Sequence, residues 1–256
     1  MKRLGYLPDN PDDRDEPLLM GARPPPSEAP WILRDYCGPV LAQACNDCVA
    51  NAGFMAIRIK HAQQIPDPVL GARIPGYYVA RAYLNIEDHD EGSRIRDFFR
   101  GVNRYGFTPE KPPYDYDPAK VLMRPGPSYT SRSFDQREEA GAIYKRIGAG
   151  RKLGIMTSLS SKHPVVLGTT VTWDMLNYKG GNQVLDVPSA DALSGDIAGG
   201  HAMCAIGYDR ESVHFINSHG RDYGDDGFVR LSWDWVLHEM TRDLWSVQRA
   251  PLYSAS

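Results

Sequence analysis

From Ala44 to Ile59 the chain is dense in Ala, Met, Ile and Val, with no proline and one glycine, and its apolar positions recur around a helical turn. That pattern predicts a buried helix. Ile95, Phe98, Phe99 and Val102 are spaced three, one and three apart and so share a helical face, and Gly106 follows where a C-cap belongs. Pro109, Pro112, Pro113, Pro118, Pro125 and Pro127 then mark a loop-rich middle, after which Ala140 to Ile147 reads as one more short helix. Beyond it the period changes. Val165 to Thr172, Ala202 to Tyr208, Ser212 to Asn217 and Gly227 to Leu231 are short β-branched or aromatic runs bounded by Gly, Asp and Asn, the pattern of strands joined by tight turns. The first half is expected to be mainly helical and the second mainly a twisted antiparallel sheet. No internal repeat is present, which sets aside solenoids and propellers.

Residues 1–36 stand apart from this pattern. They are rich in Pro and Asp, and Arg23-Pro24-Pro25-Pro26-Ser27 is a polyproline-like strap that enters neither a helix nor a central strand. An extended lead-in is expected. The acidic cluster from Asp9 to Asp15 is read as part of that arm, solvated or docked, in preference to a cation site.

A length of 256 residues is enough for one large domain or two lobes around a shared cleft, and a charged fraction of 24% beside 42% hydrophobic residues is ordinary globular usage. A net charge of −3, with arginines scattered along the chain, supplies no basic footprint for a phosphate backbone, so nucleic acid is not an expected partner. The longest apolar runs, such as Pro164 to Gly168, are too short to cross a bilayer, and no membrane partner is expected. Met1-Lys2-Arg3 is followed by Pro8, Asp9, Asp12, Asp13 and Asp15 where a signal peptide would be apolar, so a cytoplasmic location, or delivery without a readable signal, is expected. Cys37, Cys45, Cys48 and Cys204 lack the spread of a secreted disulfide framework and the paired knuckles of a zinc site, and are read as reduced thiols with no metal.

A cysteine nucleophile needs a base or imidazolium that holds the thiolate, a group that fixes the imidazole, and donors for an oxyanion. Gln43-Ala44-Cys45-Asn46-Asp47-Cys48 puts Cys48 near a helix start, where unpaired N–H groups and the dipole favour a thiolate, and Gln43 offers an amide. Gly199-Gly200-His201 puts an imidazole at the entry to a strand, and Phe215-Ile216-Asn217 ends another strand with an amide suited to hold it. Taken singly, Cys48 would be an inert core thiol; beside Cys45 it would be a redox pair, but no thioredoxin-like strand precedes it. His61, His89 and His238 are expected at the surface, His163 and His214 beside or within strands, and His219 next to the site.

The order Gln43, Cys48, His201, Asn217 resembles papain-like cysteine peptidases, in which His and Asn lie about 130–150 residues after the Cys; here the separations are 201 − 48 = 153 and 217 − 48 = 169. Gly5 to Asp9 with Pro11 to Asp15 looks like the opening of bacterial and phage members. Tyr77 to Arg81, Gly92 to Asp97 and Tyr105 to Phe107 are similar to the cleft-wall loop and following helix, and Asn217 to Gly220 with Tyr223 to Phe228 to the closing strands. Asn46-Asp47 replaces the usual Gly-Ser, the Gln to Cys spacing is one shorter than usual, Val49 replaces an aromatic, and His219 replaces the indole that shields the Asn–His bond. The resemblance implies an α+β, two-lobed fold: a helical lobe at 37–127, a β-rich lobe at 128–256 with an antiparallel sheet or barrel, and the cleft between. The arm at 1–36 is then a pro-segment-like cover or a belt. Cys48, His201 and Asn217 would be catalytic and Gln43 would serve the oxyanion. Gly92, Ser93 and Gly200 would bind an extended polypeptide, with Asp47 and His219 as site neighbours and no cofactor. A structural role in a phage or bacterial assembly, or acyl transfer or deamidation by the same triad, remain the alternatives.

Overall fold

The computed structural model describes residues 4–19, 24–126, 141–181 and 183–251. Among the described residues the first half holds three α-helices: α1 (Cys48–Ala62), α2 (Arg73–Ala82) and α3 (Ile95–Tyr105). α1 is apolar nearly all round and correspondingly buried, packed against both its helical neighbours and the sheet. It begins four residues later than the apolar pattern suggests. Gln43 N–H donates to Ser218 O (2.8 Å), Ala44 N–H to Tyr116 Oη (2.7 Å) and Asn46 N–H to Asp90 Oδ1 (3.0 Å), so the stretch before Cys48 spends its backbone donors on three other segments and cannot wind. α3 matches its expected face and ends at Gly106, whose φ of 67° and N–H to Val102 O (2.7 Å) close the last turn.

Two stretches depart from the pattern. Tyr77 to Arg81, likened together with Gly92 to Asp97 and Tyr105 to Phe107 to a cleft-wall loop and helix, lies inside a helix of its own, α2, whose Pro75 falls in the first turn where its missing N–H costs nothing. Ala140 to Ile147, read as a short helix, holds instead the strand β1 (Ile143–Arg146), because this segment has partners on both edges. One edge pairs with the last strand of the sheet; on the other, Arg146 N–H donates to Glu16 O and Leu18 N–H to Arg146 O, both at 2.8 Å.

After β1 comes α4 (Arg151–Ser160), then β2 (Val165–Thr172), β3 (Val184–Leu185), β4 (Ile197–Tyr208), β5 (Ser212–Ile216), β6 (Phe228–Ser232) and β7 (Thr241–Arg249). They form one seven-stranded sheet in the order β1-β7-β2-β4-β5-β6-β3. Every pairing is antiparallel except β3 with β6, which makes the sheet mixed at that edge. β2 and β4 are central and buried on both faces, and α1 packs on β4, so the core is continuous between the helical lobe and the sheet lobe. That contact carries the start of α1 to the flank of β4. No helix among the described residues is long and apolar enough to cross a membrane.

Candidate active site

Cys48 is the first residue of α1 and is fully buried. Burial pushes its thiol pKa up and the Asp47 carboxylate adds to the rise, while the N–H groups of Ala202, Val49 and Cys48 itself oppose it. The Ala202 contact fixes the geometry, since it sets the thiol against β4 one residue after His201. His201 is fully buried, in register with Thr169 of β2. Its Nε2–H donates to Asn217 Oδ1 at 2.7 Å, and Ser218 N–H donates to the same oxygen at 2.8 Å. Asn217 follows the last residue of β5 and is held by its own N–H to Gly227 O at 2.9 Å, so the amide is fixed from both ends.

His219 stacks on the His201 ring with centroids 4.6 Å apart and planes 17° apart, and accepts at Nδ1 from Asn217 Nδ2 at 3.2 Å. Tyr223 meets the His219 ring edge-on at 5.3 Å. A polar ring thus covers the His201–Asn217 bond and bonds to it as well. Gln43 Oε1 accepts from Ser218 Oγ at 2.6 Å, and Gln43 Nε2 donates to Cys45 O at 3.0 Å and Leu4 O at 3.2 Å. Asp47 is buried beside the thiol; burial pushes its carboxyl up to about 6, with Arg73 opposing. Tyr116 Oη–H donates to its Oδ1 at 3.3 Å, and its Oδ2 has no hydrogen-bond partner among the described residues. Cys45 precedes the helix, and all four cysteines are free.

The groove between the lobes holds the chain's own beginning. Gly5 N–H and Tyr6 N–H both donate to Gly200 O at 3.1 Å, Ser93 N–H donates to Gly5 O at 2.8 Å, and Leu7 N–H donates to Ser93 O at 3.0 Å. Tyr6 therefore forms a parallel bridge with Ser93 while its other edge faces β4. Gly92 and Gly200 permit this approach: a Cβ on either would stand 2.2–2.3 Å from an arm carbonyl oxygen. Gly92, Ser93 and Gly200 thus line the groove, and Leu4 O lies at the amide of Gln43.

Several site residues carry no legible sequence signal. Asp90, one acid in an acidic run, accepts at Oδ1 from Asn46 N–H (3.0 Å) and from Tyr77 Oη–H (2.9 Å), and Tyr77 Oη accepts from Gly92 N–H (2.8 Å). It ties the groove wall to the segment before Cys48. Asp243 of β7 accepts from the Tyr6 hydroxyl at the groove's far side. Two histidines also differ from expectation: His61, expected at the surface, is buried with Nε2 at 2.6 Å from Pro251 O, and His238 is half-buried. His61 faces inward from the last turn of an all-round apolar helix.

A family model described as papain family cysteine protease matches residues 92–242, more than half of the chain, including His201 and Asn217 and starting beyond Cys48. The chain is 25% identical over 282 residues to an uncharacterized peptidase C1-like protein of Acanthamoeba polyphaga mimivirus, with 96% of this chain and 87% of the relative covered. Among solved structures it is similar to xylellain, a cysteine protease from Xylella fastidiosa (TM-score 0.79, 22% identity, 97% of each chain covered). It is also similar to procathepsin B from Trypanosoma congolense (TM-score 0.73, 15% identity, 98% of this chain and 87% of that one). With the sheet, the cleft and the family match in agreement, the chain belongs to the papain family of cysteine proteases and is a cysteine peptidase.

Proposed function

We propose that Cys48, His201 and Asn217 form the catalytic triad, with Gln43 as an oxyanion donor, and that an extended polypeptide is hydrolysed in the groove now filled by Leu4 to Leu7. The observation that carries this reading is the hydrogen bond from His201 Nε2–H to Asn217 Oδ1 at 2.7 Å, made beside a thiol at the N-terminus of α1. With Nε2 engaged by the amide, the Cys48 proton passes to Nδ1, and the helix terminus favours the thiolate left behind. Sulfur attacks the peptide carbonyl carbon, and the oxyanion is held by the Cys48 N–H and Gln43 Nε2. Collapse expels the amine, which takes the proton from the imidazolium and leaves a thioester. His201 then draws a proton from water, whose oxygen adds to the thioester, and the thiol departs with that proton. Side chains and water supply every step.

Support for the substrate comes from the arm, whose backbone bonds to Ser93 and Gly200 are the kind any extended peptide makes. On this reading Leu4 to Leu7 of the 1–36 arm covers the groove while later parts of it belt the sheet, and the described residues of 37–127 and of 128–256 form the lobes that carry the nucleophile and, respectively, His201 with Asn217. Gln43 reaches the groove despite its shortened spacing, because Ser218 holds its oxygen and turns its NH2 toward the arm.

The test is alkylation by an epoxysuccinyl peptide followed by peptide mapping. Label is expected on Cys48 alone and is lost in Cys48→Ala, together with peptide hydrolysis. Label on Cys45, Cys37 or Cys204, with hydrolysis intact in Cys48→Ala, overturns the assignment.

A further inference from the structure

Tyr6 of the arm is buried against the sheet beside the groove. Its ring is 4% exposed and lies against Gly168 of β2 and Gly200 of β4, where a Cβ would stand 2.2 Å and 3.0 Å from ring carbons. The two glycines lie diagonally across the β2–β4 pair, Gly168 opposite Ala202 and Gly200 opposite Thr170, and their missing side chains leave the slot that the ring occupies. At its end sits Asp243 of β7, fully buried. Asp243 Oδ2 accepts from the Tyr6 hydroxyl and from Asp9 N–H at 2.8 Å, and both donors belong to the arm. Asp243 Oδ1 accepts from Arg146 Nη2 at 2.8 Å, a donor that stays with the sheet.

We propose that Asp243 is a specificity-determining residue, and that the slot selects a tyrosine side chain of the substrate once the arm has moved out. The inference rests on the groove reading under Proposed function and names which side chain that groove prefers. When the arm leaves, Oδ2 of a buried carboxylate loses both its donors. Tyrosine restores one of them at the depth Tyr6 already reaches. Phenylalanine fills the same space and leaves the oxygen unpaired, a loss of about 10- to 100-fold for a hydrogen bond to a buried charged group. Arginine is disfavoured for another reason: the charge of Asp243 is already met by Arg146, and Arg151 also lies within its electrostatic reach. An incoming cation would face two resident ones, whereas a neutral hydroxyl faces none.

The experiment uses the full chain, unmodified and as Gly5→Ala, a change outside the slot that displaces the arm. Fluorogenic peptides differ only in carrying Tyr, Phe or Arg, with that residue moved along successive positions before the cleaved bond. At one position kcat/KM for Tyr is expected to exceed Phe by about 10- to 100-fold, with Arg lower still. Asp243→Ala brings the Tyr to Phe ratio at that position close to one. Equal rates for Tyr and Phe at every position, Arg above Tyr, or a Tyr preference that survives Asp243→Ala overturns the inference while leaving the peptidase reading intact. The Tyr against Phe comparison in protein that keeps Asp243 decides the matter even where Asp243→Ala fails to fold. No cleavage of any peptide overturns the groove reading itself, and the inference with it.

Discussion

His201, Asn217 and His219 form a chain in which each side chain has a distinct task. Asn217 Oδ1 takes one N–H from the imidazole at 2.7 Å and one from Ser218 at 2.8 Å, so its orientation is fixed before any imidazolium forms. In the proposed mechanism it moves no proton itself. Asn217→Ala is therefore expected to lower kcat by about 10- to 100-fold, the scale of one lost hydrogen bond to a charged group, whereas Cys48→Ala and His201→Ala abolish turnover. Steady-state kinetics on the three variants, with circular dichroism to verify folding, checks this; equal losses in all three would assign Asn217 more than an orienting part. His219 differs from an apolar shield in that it also accepts from Asn217 Nδ2 at 3.2 Å. His219→Trp keeps a ring over the His201–Asn217 bond and loses that acceptor, so kcat is expected to fall by no more than about tenfold, the scale of one neutral hydrogen bond, in the same kinetic comparison.

At the scale of elements, the arm docks at three places. Leu4 to Leu7 lies in the groove, Glu16 to Leu18 runs along β1, and Ala29 pairs with Tyr208 at the end of β4, where Ala29 N–H donates at 2.9 Å. The first segment is the one whose removal exposes the groove, and Gly5 is its weak point. With φ at +127° and only 1.9 Å between an added Cβ and Asn46 O, Gly5→Ala cannot keep the docked backbone. A several-fold rise in peptide turnover over the unmodified chain is expected, with the melting temperature little changed because the belt persists; an unchanged rate would mean that the segment does not restrain access. Much of this architecture was legible in the sequence, for particular reasons. β2 coincides with its run Val165 to Thr172 because a central strand buried on both faces is apolar throughout, and α3 was readable from one face and a terminal glycine. β7 was not, since Arg242, Asp243, Ser246 and Arg249 interrupt it and their partners lie up to 237 residues away in the chain. β1 was misread because pairing on both edges, not its own composition, makes it a strand. The order Gln43, Cys48, His201, Asn217 could be picked out because it resembles that of papain-like cysteine peptidases; taken singly, Cys48 reads as a core thiol. Asp243 and Asp90 did not, being acids whose importance lies entirely in what folds against them.

Taken as a whole, the molecule holds its arm down through a buried acid cluster that spans three parts of the fold. The Asp9 side chain on the arm is fully buried; its Oδ2 accepts from Trp245 Nε1 of β7 at 2.9 Å and its Oδ1 from Arg96 N–H of α3 at 3.3 Å. Asp243 of β7 lies next to it, accepting from Asp9 N–H and from the Tyr6 hydroxyl, and Arg146 of β1 stands 3.9 Å from Asp9 Oδ2. Burial raises the Asp9 pKa and the charge of Asp243 adds to it, while Trp245 and Arg96 oppose, leaving the group at about 7. In a displaced arm Asp9 is an ordinary solvated carboxyl near ~3.9. The docked pKa is the higher of the two, so docking takes up a proton. Its contribution is complete below the solvated pKa and is lost as pH rises through the docked one. Displacement of the arm should become easier by up to about tenfold per pH unit between those two values and level off above the upper one. The intrinsic pH response of the thiol and imidazole is divided out by taking the ratio of unmodified chain to Gly5→Ala at each pH. That ratio is expected to climb from about pH 5 to about pH 7 and flatten beyond. In Asp9→Asn, which keeps the shape and carries no ionisable group, the ratio should stay level across the range. A ratio that falls with pH, or a climb that persists in Asp9→Asn, would place the controlling proton elsewhere than on the arm.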